Sequence, residues 1–213
     1  MQKRWLVVAV ILSYLVMLFG GAALKPDYSH INQFISELNA TGTPYAWTVG
    51  WLGFVPFGIL AGILLIAIAD KVPVQGISRT GYWLFMAVPI AYIGSALAPC
   101  DLGCPAEGSL SQTIHNALGL LMYLATSLGL LFLSFSPSIS ASQRLLWTGL
   151  SFLGLVLFAL MVNDAMMELR GLLQRLSEWL VYSALCVGAW RLSGADHTLE
   201  AVPIRISDRQ LPK

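Results

Sequence analysis

Six long apolar stretches, about Trp5 to Leu24, Ala46 to Ala69, Gly81 to Pro99, Ile114 to Phe135, Leu145 to Val162 and Gly171 to Leu192, take up most of the chain. Each approaches the roughly 20 residues that a helix needs to cross about 30 Å of hydrocarbon. Backbone polar groups in lipid have no water to pair with, so a spanning segment is either a helix or a strand of a closed barrel. None of these runs shows the strict alternation of a barrel strand. The expected fold is therefore all-α, a six-transmembrane-helix bundle over residues 1–192, followed by a disordered cytoplasmic tail over 193–213. Charged residues are 11% of the chain, against about a quarter in soluble domains, so little is left for a separate soluble unit.

Orientation follows from the basic residues, which concentrate in cytoplasmic loops. Lys3, Arg4, Lys71, Arg79, Arg144, Arg191, Arg205, Arg209 and Lys213 fall on one side of the six stretches, and only Lys25, Arg170 and Arg175 on the other. Both termini are expected in the cytoplasm, with the protein in the cell (inner) membrane and the segments around Glu37, Asp101 and Glu168 outside. The start also has features of a signal peptide, with Lys3 and Arg4, an apolar run and then Gly20 to Ala23. Cleavage there would leave five spans of the same sidedness. A net charge of +1 excludes a basic nucleic-acid footprint. Gly58 and Gly62 read as internal packing positions, while Pro56 and Pro89 are expected to kink the second and third spans.

Residues capable of chemistry gather on the outer side. Between the first two spans, Ile31, Phe34, Ile35 and Leu38 recur at helical spacing. This pattern predicts an interfacial amphipathic helix, capped by Asp27 or Ser29 and ended by Gly42 and Pro44. Its other face would carry His30, Gln33 and Glu37, with Ser36 beside them. The loop PCDLGCPAEGSLSQTIH places Cys100, Asp101 and Cys104 outside, where oxidation is permitted. A Cys100–Cys104 disulfide is favoured over free thiols or metal ligands, since two cysteines are too few for a structural zinc. His115 and Asn116 should point into the bundle, His115 bonding a loop carbonyl or Asp101, or acting as a base or a ligand. The last outer segment brings Asp164, Glu168, Arg170, Gln174, Arg175 and Glu178 to the start of the sixth span. An unpaired arginine at a span's centre costs upward of about 2.5 kcal/mol, so Arg175 is expected to pair with Glu178, Glu168 or Glu37.

The segments SELNATGTPYAW, APCDLGCPAEGSLSQTIHNALG and GLLQRLSEW together resemble a family of small multi-pass prokaryotic membrane proteins, catalogued as domain of unknown function 998. The resemblance covers roughly the first 192 residues. It implies a six-helix membrane protein with motif positions Ser36, Glu37, Cys100, Asp101, Cys104, His115, Gln174 and Arg175, and it implies no particular reaction. Membrane hydrolases related to alkaline ceramidase hold a zinc with three histidines. Here only His30, His115 and His197 exist, and His197 lies in the tail, so that site cannot be assembled.

The favoured function is an outward-facing polar pocket that binds a lipid head group or another amphiphile. Glu37, Arg175, Gln174, Glu178 and His30 would contact the ligand, with Arg175 holding an anionic group and His115 hydrogen-bonding it. The first alternative is a membrane hydrolase, in which His115, oriented by Asp101, activates Ser36, a water or a metal-bound water. His30, Glu37, Asp101 and His115 are the ligands such a metal would use. The second alternative is an accessory subunit with a membrane-protein partner. No metal or cofactor is assigned, and the bilayer itself is the one partner expected under every reading.

Overall fold

Residues 4–194 are described by the computed structural model; the tail expected beyond them, including His197, lies outside the described residues. The described chain is helical, with no strand among these residues. Six long helices follow one another: α1 Arg4–Ala23, α2 Ala46–Lys71, α3 Ile77–Leu97, α4 Leu110–Leu133, α5 Ala141–Met161 and α6 Arg170–Leu192. Among the described residues, the five helices α1 to α5 are long and apolar enough to cross a membrane. Helix α6 is as long, at 23 residues, but Arg170, Arg175, Glu178 and Arg191 make it more polar.

Consecutive helices pack side by side, and α6 returns to pack on α1, so the six form a closed ring. Lipid tails are as apolar as leucine, so close packing rather than exclusion from water must hold such helices together. The contacts fit that requirement. At the α3–α4 crossing, a Cβ on Gly81 would sit 2.6 Å from Phe132 Cβ and 2.9 Å from the Gly129 carbonyl oxygen, and one on Gly129 would meet the Gly81 carbonyl oxygen at 2.9 Å. Only glycine allows the two backbones this close. Gly58 faces Ile93 and the Pro89 carbonyl, and Gly62 faces the Pro89 ring, which makes both internal packing positions between α2 and α3. Phe54, Phe57, Phe85, Leu18 and Leu130 fill the centre.

Both prolines coincide with irregular turns. Pro89 has no N–H to offer the Phe85 carbonyl four residues earlier, and α3 is interrupted at Phe85–Met86. Pro56 follows a π-helical turn at Gly50–Phe54 in α2, and a similar turn occupies Val16–Gly20 in α1. These are the wider turns that a missing or displaced backbone bond produces.

The segment between α1 and α2 departs from the sequence expectation. In place of one amphipathic helix lying on a surface, it forms turns and then a short 3-10 helix, Ile35–Asn39. Phe34 is extended, at φ −62° and ψ 152°, which breaks any continuous helix. The reason is tertiary. Ile35 and Leu38 are inserted into the bundle with essentially no exposure, whereas Ile31 is half exposed. The backbone is captured by α6: Leu172 N–H donates to the Ile31 carbonyl (2.9 Å), and Ile35 N–H donates to Gln174 Oε1 (2.6 Å).

Candidate functional site

The connections after α1, α3 and α5 gather at one end of the bundle and are tied together by Glu37. Its Oε1 accepts from Phe34 N–H (2.9 Å) and from Arg170 Nη2 (2.9 Å), and its Oε2 accepts from Gln33 Nε2 (3.0 Å). Arg170 also donates to the Asn32 and Gly103 carbonyls and lies 4.5 Å over the Phe34 ring. This one guanidinium therefore joins the post-α1 segment, the post-α3 loop and α6. Lys25 reaches the same segment, donating to the Glu37 carbonyl (3.3 Å) and to Thr43 Oγ1. Burial holds its ammonium down to about 8.

Arg175 is 2% exposed and points at the same segment rather than at a cavity. Its Nη1 donates to the Gln33 and Gly171 carbonyls (3.0 and 2.7 Å), and its Nη2 donates to Tyr28 Oη (2.6 Å) and His30 Nδ1 (3.1 Å). Burial first, then the facing Arg175, lowers the His30 imidazole, so the ring is neutral and Nδ1 accepts. Tyr28 donates onward to the Phe34 carbonyl (2.8 Å), and burial raises its hydroxyl to about 12. The acidic partner expected for Arg175 is replaced by carbonyls and a hydroxyl. Glu37 pairs instead with Arg170, and Glu168 accepts from Asn32 Nδ2.

The loop between α3 and α4 carries a Cys100–Cys104 disulfide with Cα atoms 5.1 Å apart. A turn brings the two together: Cys104 N–H donates to the Asp101 carbonyl, and Gly103 and Cys104 take the left-handed φ values of 79° and 46°. Asp101 holds Ser109, the N-cap residue of α4, accepting from its N–H and Oγ (both 2.8 Å), and these bonds hold the Asp101 carboxyl below the ordinary range. His115 Nδ1 faces the Ala98 carbonyl at 3.1 Å. Asp101 and His115 thus have separate partners and form no dyad, because the carboxylate is turned toward Ser109. Of the four metal ligands considered from sequence, His30 is held by Arg175, Glu37 by Arg170 and Asp101 by Ser109. Among the described residues, Cys100, Cys104 and His115 form the cluster whose ligand atoms lie within 4.8 Å of one another.

Between these elements lies a cavity of about 400 Å³. Its lining mixes polar residues, among them Ser36, His115, Asn116, Asp164, Arg170 and Gln174, with apolar ones, among them Leu120, Phe158, Met161, Val162 and Met167. Ser36 Oγ lies 3.3 Å from Cys104 Sγ. A smaller space shares Ser36, His115, Gly119, Tyr123 and Gln174 with this cavity and leads inward to Glu178. There Glu178, 3% exposed, accepts hydrogen bonds from Tyr92 (2.5 Å), Tyr123 (3.1 Å) and Tyr14 (3.3 Å).

The profile of the family described as protein of unknown function DUF998 matches residues 7–191. The chain belongs to this family. No curated protein and no solved structure matches it. The matched region of this DUF998 protein contains all eight motif positions expected from the resemblance, and they take two kinds of place. Ser36, Cys104, His115 and Gln174 line the cavity. Glu37, Asp101 and Arg175 hold its surrounding segments together, with Cys100 behind Cys104. Of the other expected ligand-contacting residues, His30 sits against Tyr28 and Phe19, and Glu178 lies at the inner end.

The sequence reading named Arg170 in the last outer segment without giving it a role in the site, and it did not name the three tyrosines. Arg170 stands one residue before the apolar run, so nothing in the sequence set it apart from Arg175. Tyr14, Tyr92 and Tyr123 offered a usable signal, since hydroxyls inside spans need partners and Glu178 is the deepest acid in the sequence.

Proposed function

We propose that this DUF998 protein crosses the bacterial inner membrane six times and binds a lipid head group or another amphiphile in the cavity at its outward-facing end. The observation that carries this is a cavity at the end of the bundle whose lining combines charged and hydrogen-bonding side chains with large apolar ones. A ligand with a charged or hydrogen-bonding head and a hydrocarbon tail suits such a lining. The head would meet Arg170, Gln174, His115 and Asn116, and the tail would lie along Leu120, Phe158 and Val162. Arg170 replaces Arg175 as the cation for an anionic group, because Arg170 lines the cavity whereas the Arg175 guanidinium is turned to the post-α1 segment.

Six passes are supported by the length of α6, which at 23 residues reaches about 34 Å, and by the burial of Gln174, Arg175 and Glu178 inside the bundle. Among the described residues, Arg4, Lys71, Arg79, Arg144 and Arg191 lie at the end opposite the cavity, against Lys25, Arg170 and Arg175 beside it, and this bias supports cytoplasmic termini.

Gly119 supplies the test. It lines the cavity, and a Cβ there would meet nothing within 4 Å, so Gly119→Phe sends a ring into the space from a position where its first carbon displaces no neighbour. Native mass spectrometry of gently solubilised protein should find a bound amphiphile on the wild type and lose most of it in Gly119→Phe. Equal occupancy in the two proteins would refute the assignment of the cavity as the binding site.

A further inference from the structure

We propose that the reduced form of the protein binds a thiophilic divalent cation of the zinc class through Cys100, Cys104 and His115. This goes beyond amphiphile binding and does not rest on it. The two sulfurs and one imidazole nitrogen lie within 4.8 Å of one another, in a place where all three residues are buried. Ligand atoms around a tetrahedral zinc stand roughly 3.5 to 3.8 Å apart, given bonds of about 2.0 to 2.3 Å, so the sulfur–nitrogen separations need close by no more than about 1 Å, while the two sulfurs, bonded in the disulfide, part on reduction.

The scaffold does not depend on the disulfide. Thr41 N–H donates to the Cys100 carbonyl (2.8 Å), Asp101 N–H donates to Gln112 Oε1 (2.7 Å), and Ser111 Oγ donates to the Pro99 carbonyl (2.7 Å). With the Cys104 N–H bond to the Asp101 carbonyl, these keep both cysteines on one turn after reduction. The imidazole is also prepared. A carbonyl can only accept, so Nδ1 facing Ala98 at 3.1 Å carries the proton and Nε2 keeps its lone pair. A backbone carbonyl on the far nitrogen is the usual way a histidine ligand is oriented.

Two thiolates and a neutral imidazole make three protein ligands and leave a fourth position open, the arrangement of reactive rather than purely structural zinc sites. Cys104, His115 and Ser36 all line the cavity, so the open position faces it. Two thiolates neutralise the dication, which suits a buried place. The redox balance is simple. A dithiol or phosphine reductant delivers two electrons, two protons convert the disulfide to two thiols, and metal binding releases those protons. The oxidised protein offers His115 alone, so metal binding is conditional on reduction.

The test uses the full chain with Cys186→Ser, which removes the other thiol. The detergent-solubilised protein is reduced with a phosphine, its thiols are counted, and it is titrated with Co(II) as a spectroscopic probe. A thiolate-to-cobalt charge-transfer band should saturate at one equivalent, collapse on adding Zn(II), and be absent from unreduced protein. His115→Ala should retain both thiols and weaken Co(II) binding at least tenfold. Comparing oxidised with reduced protein needs no site variant, so misfolding of His115→Ala cannot mask the result. Failure to free both thiols in the folded protein, absence of the band after reduction, or an unchanged titration in His115→Ala would each overturn the proposal.

Discussion

Glu37→Gln isolates what the ion pair at the cavity end contributes. The carboxylate is 6% exposed and meets a donor at every bond: Phe34 N–H and Arg170 on Oε1, and Gln33 Nε2 on Oε2. A glutamine keeps one acceptor oxygen. If that oxygen stays toward Phe34 and Arg170, its amide NH₂ confronts the Gln33 NH₂. Gln33 cannot simply flip, because its Oε1 already accepts from Ser29 N–H at 2.8 Å. The substitution therefore turns one charge-assisted hydrogen bond into a donor–donor contact and leaves Arg170, 18% exposed, without its counter-charge. Hydrogen bonds to charged groups contribute about 1.5 to 3 kcal/mol, and removing one member of a buried pair costs about 3 to 5. Since Arg170 is partly hydrated, a total of about 2 to 3 kcal/mol is expected. For a chain of this size that lowers Tm by roughly 4 to 12 °C. Thermal unfolding in mild detergent, followed by tryptophan fluorescence, measures it. The same measurement on Arg170→Gln and on the double variant gives the coupling energy, expected near 1 to 2 kcal/mol. Additive losses, or a Glu37→Gln Tm equal to wild type, would refute this account.

Other expectations follow from the same geometry. Gly81→Ala would drive a methyl into Phe132 and the Gly129 carbonyl, so it should cost about 1 to 3 kcal/mol, read as a lower Tm, whereas Gly119→Ala should be neutral. Reducing the Cys100–Cys104 disulfide, which closes a loop of only three intervening residues, should cost about 2 kcal/mol in the chain-entropy description; thermal unfolding with and without reductant checks it. Lys25 titrates near 8 when folded against 10.5 ordinarily, so the unfolded chain holds its proton more tightly. Its contribution must then rise as pH increases from about 8 to 10.5, and Lys25→Met should flatten that part of the stability–pH curve.

Much of the architecture was readable from α1 to α5, because length and apolarity alone select a membrane helix and need no tertiary information. Helix α6 was harder, since Gln174, Arg175 and Glu178 are polar residues whose burial depends on partners supplied by other helices. The post-α1 segment was misread for the same kind of reason. Ile31, Phe34, Ile35 and Leu38 have helical spacing, yet Gln174 and Leu172 capture the backbone and override local periodicity. Within the site, Cys104 and His115 could be named because cysteine and histidine each occur only three times, and Ser36 and Gln174 because they fall in the segments that carry the family resemblance. Their assignment to roles could not be read in the same way. Asp101 near His115 in sequence suggested a dyad, but Ser109 offers the carboxylate two donors closer along the chain. Choosing Arg170 over Arg175 as the cavity cation required knowing the rotation of α6.

The capture of the post-α1 segment by α6 has a consequence for biosynthesis. The segment leaves the ribosome early, yet Leu172, Gln174 and Arg175, together with Glu168 and Arg170, emerge more than 130 residues later. Until α6 packs against it, the carbonyls of Ile31, Asn32 and Gln33 must be served by other donors. Protease access to residues 28–39 therefore reports whether α6 has packed against this segment.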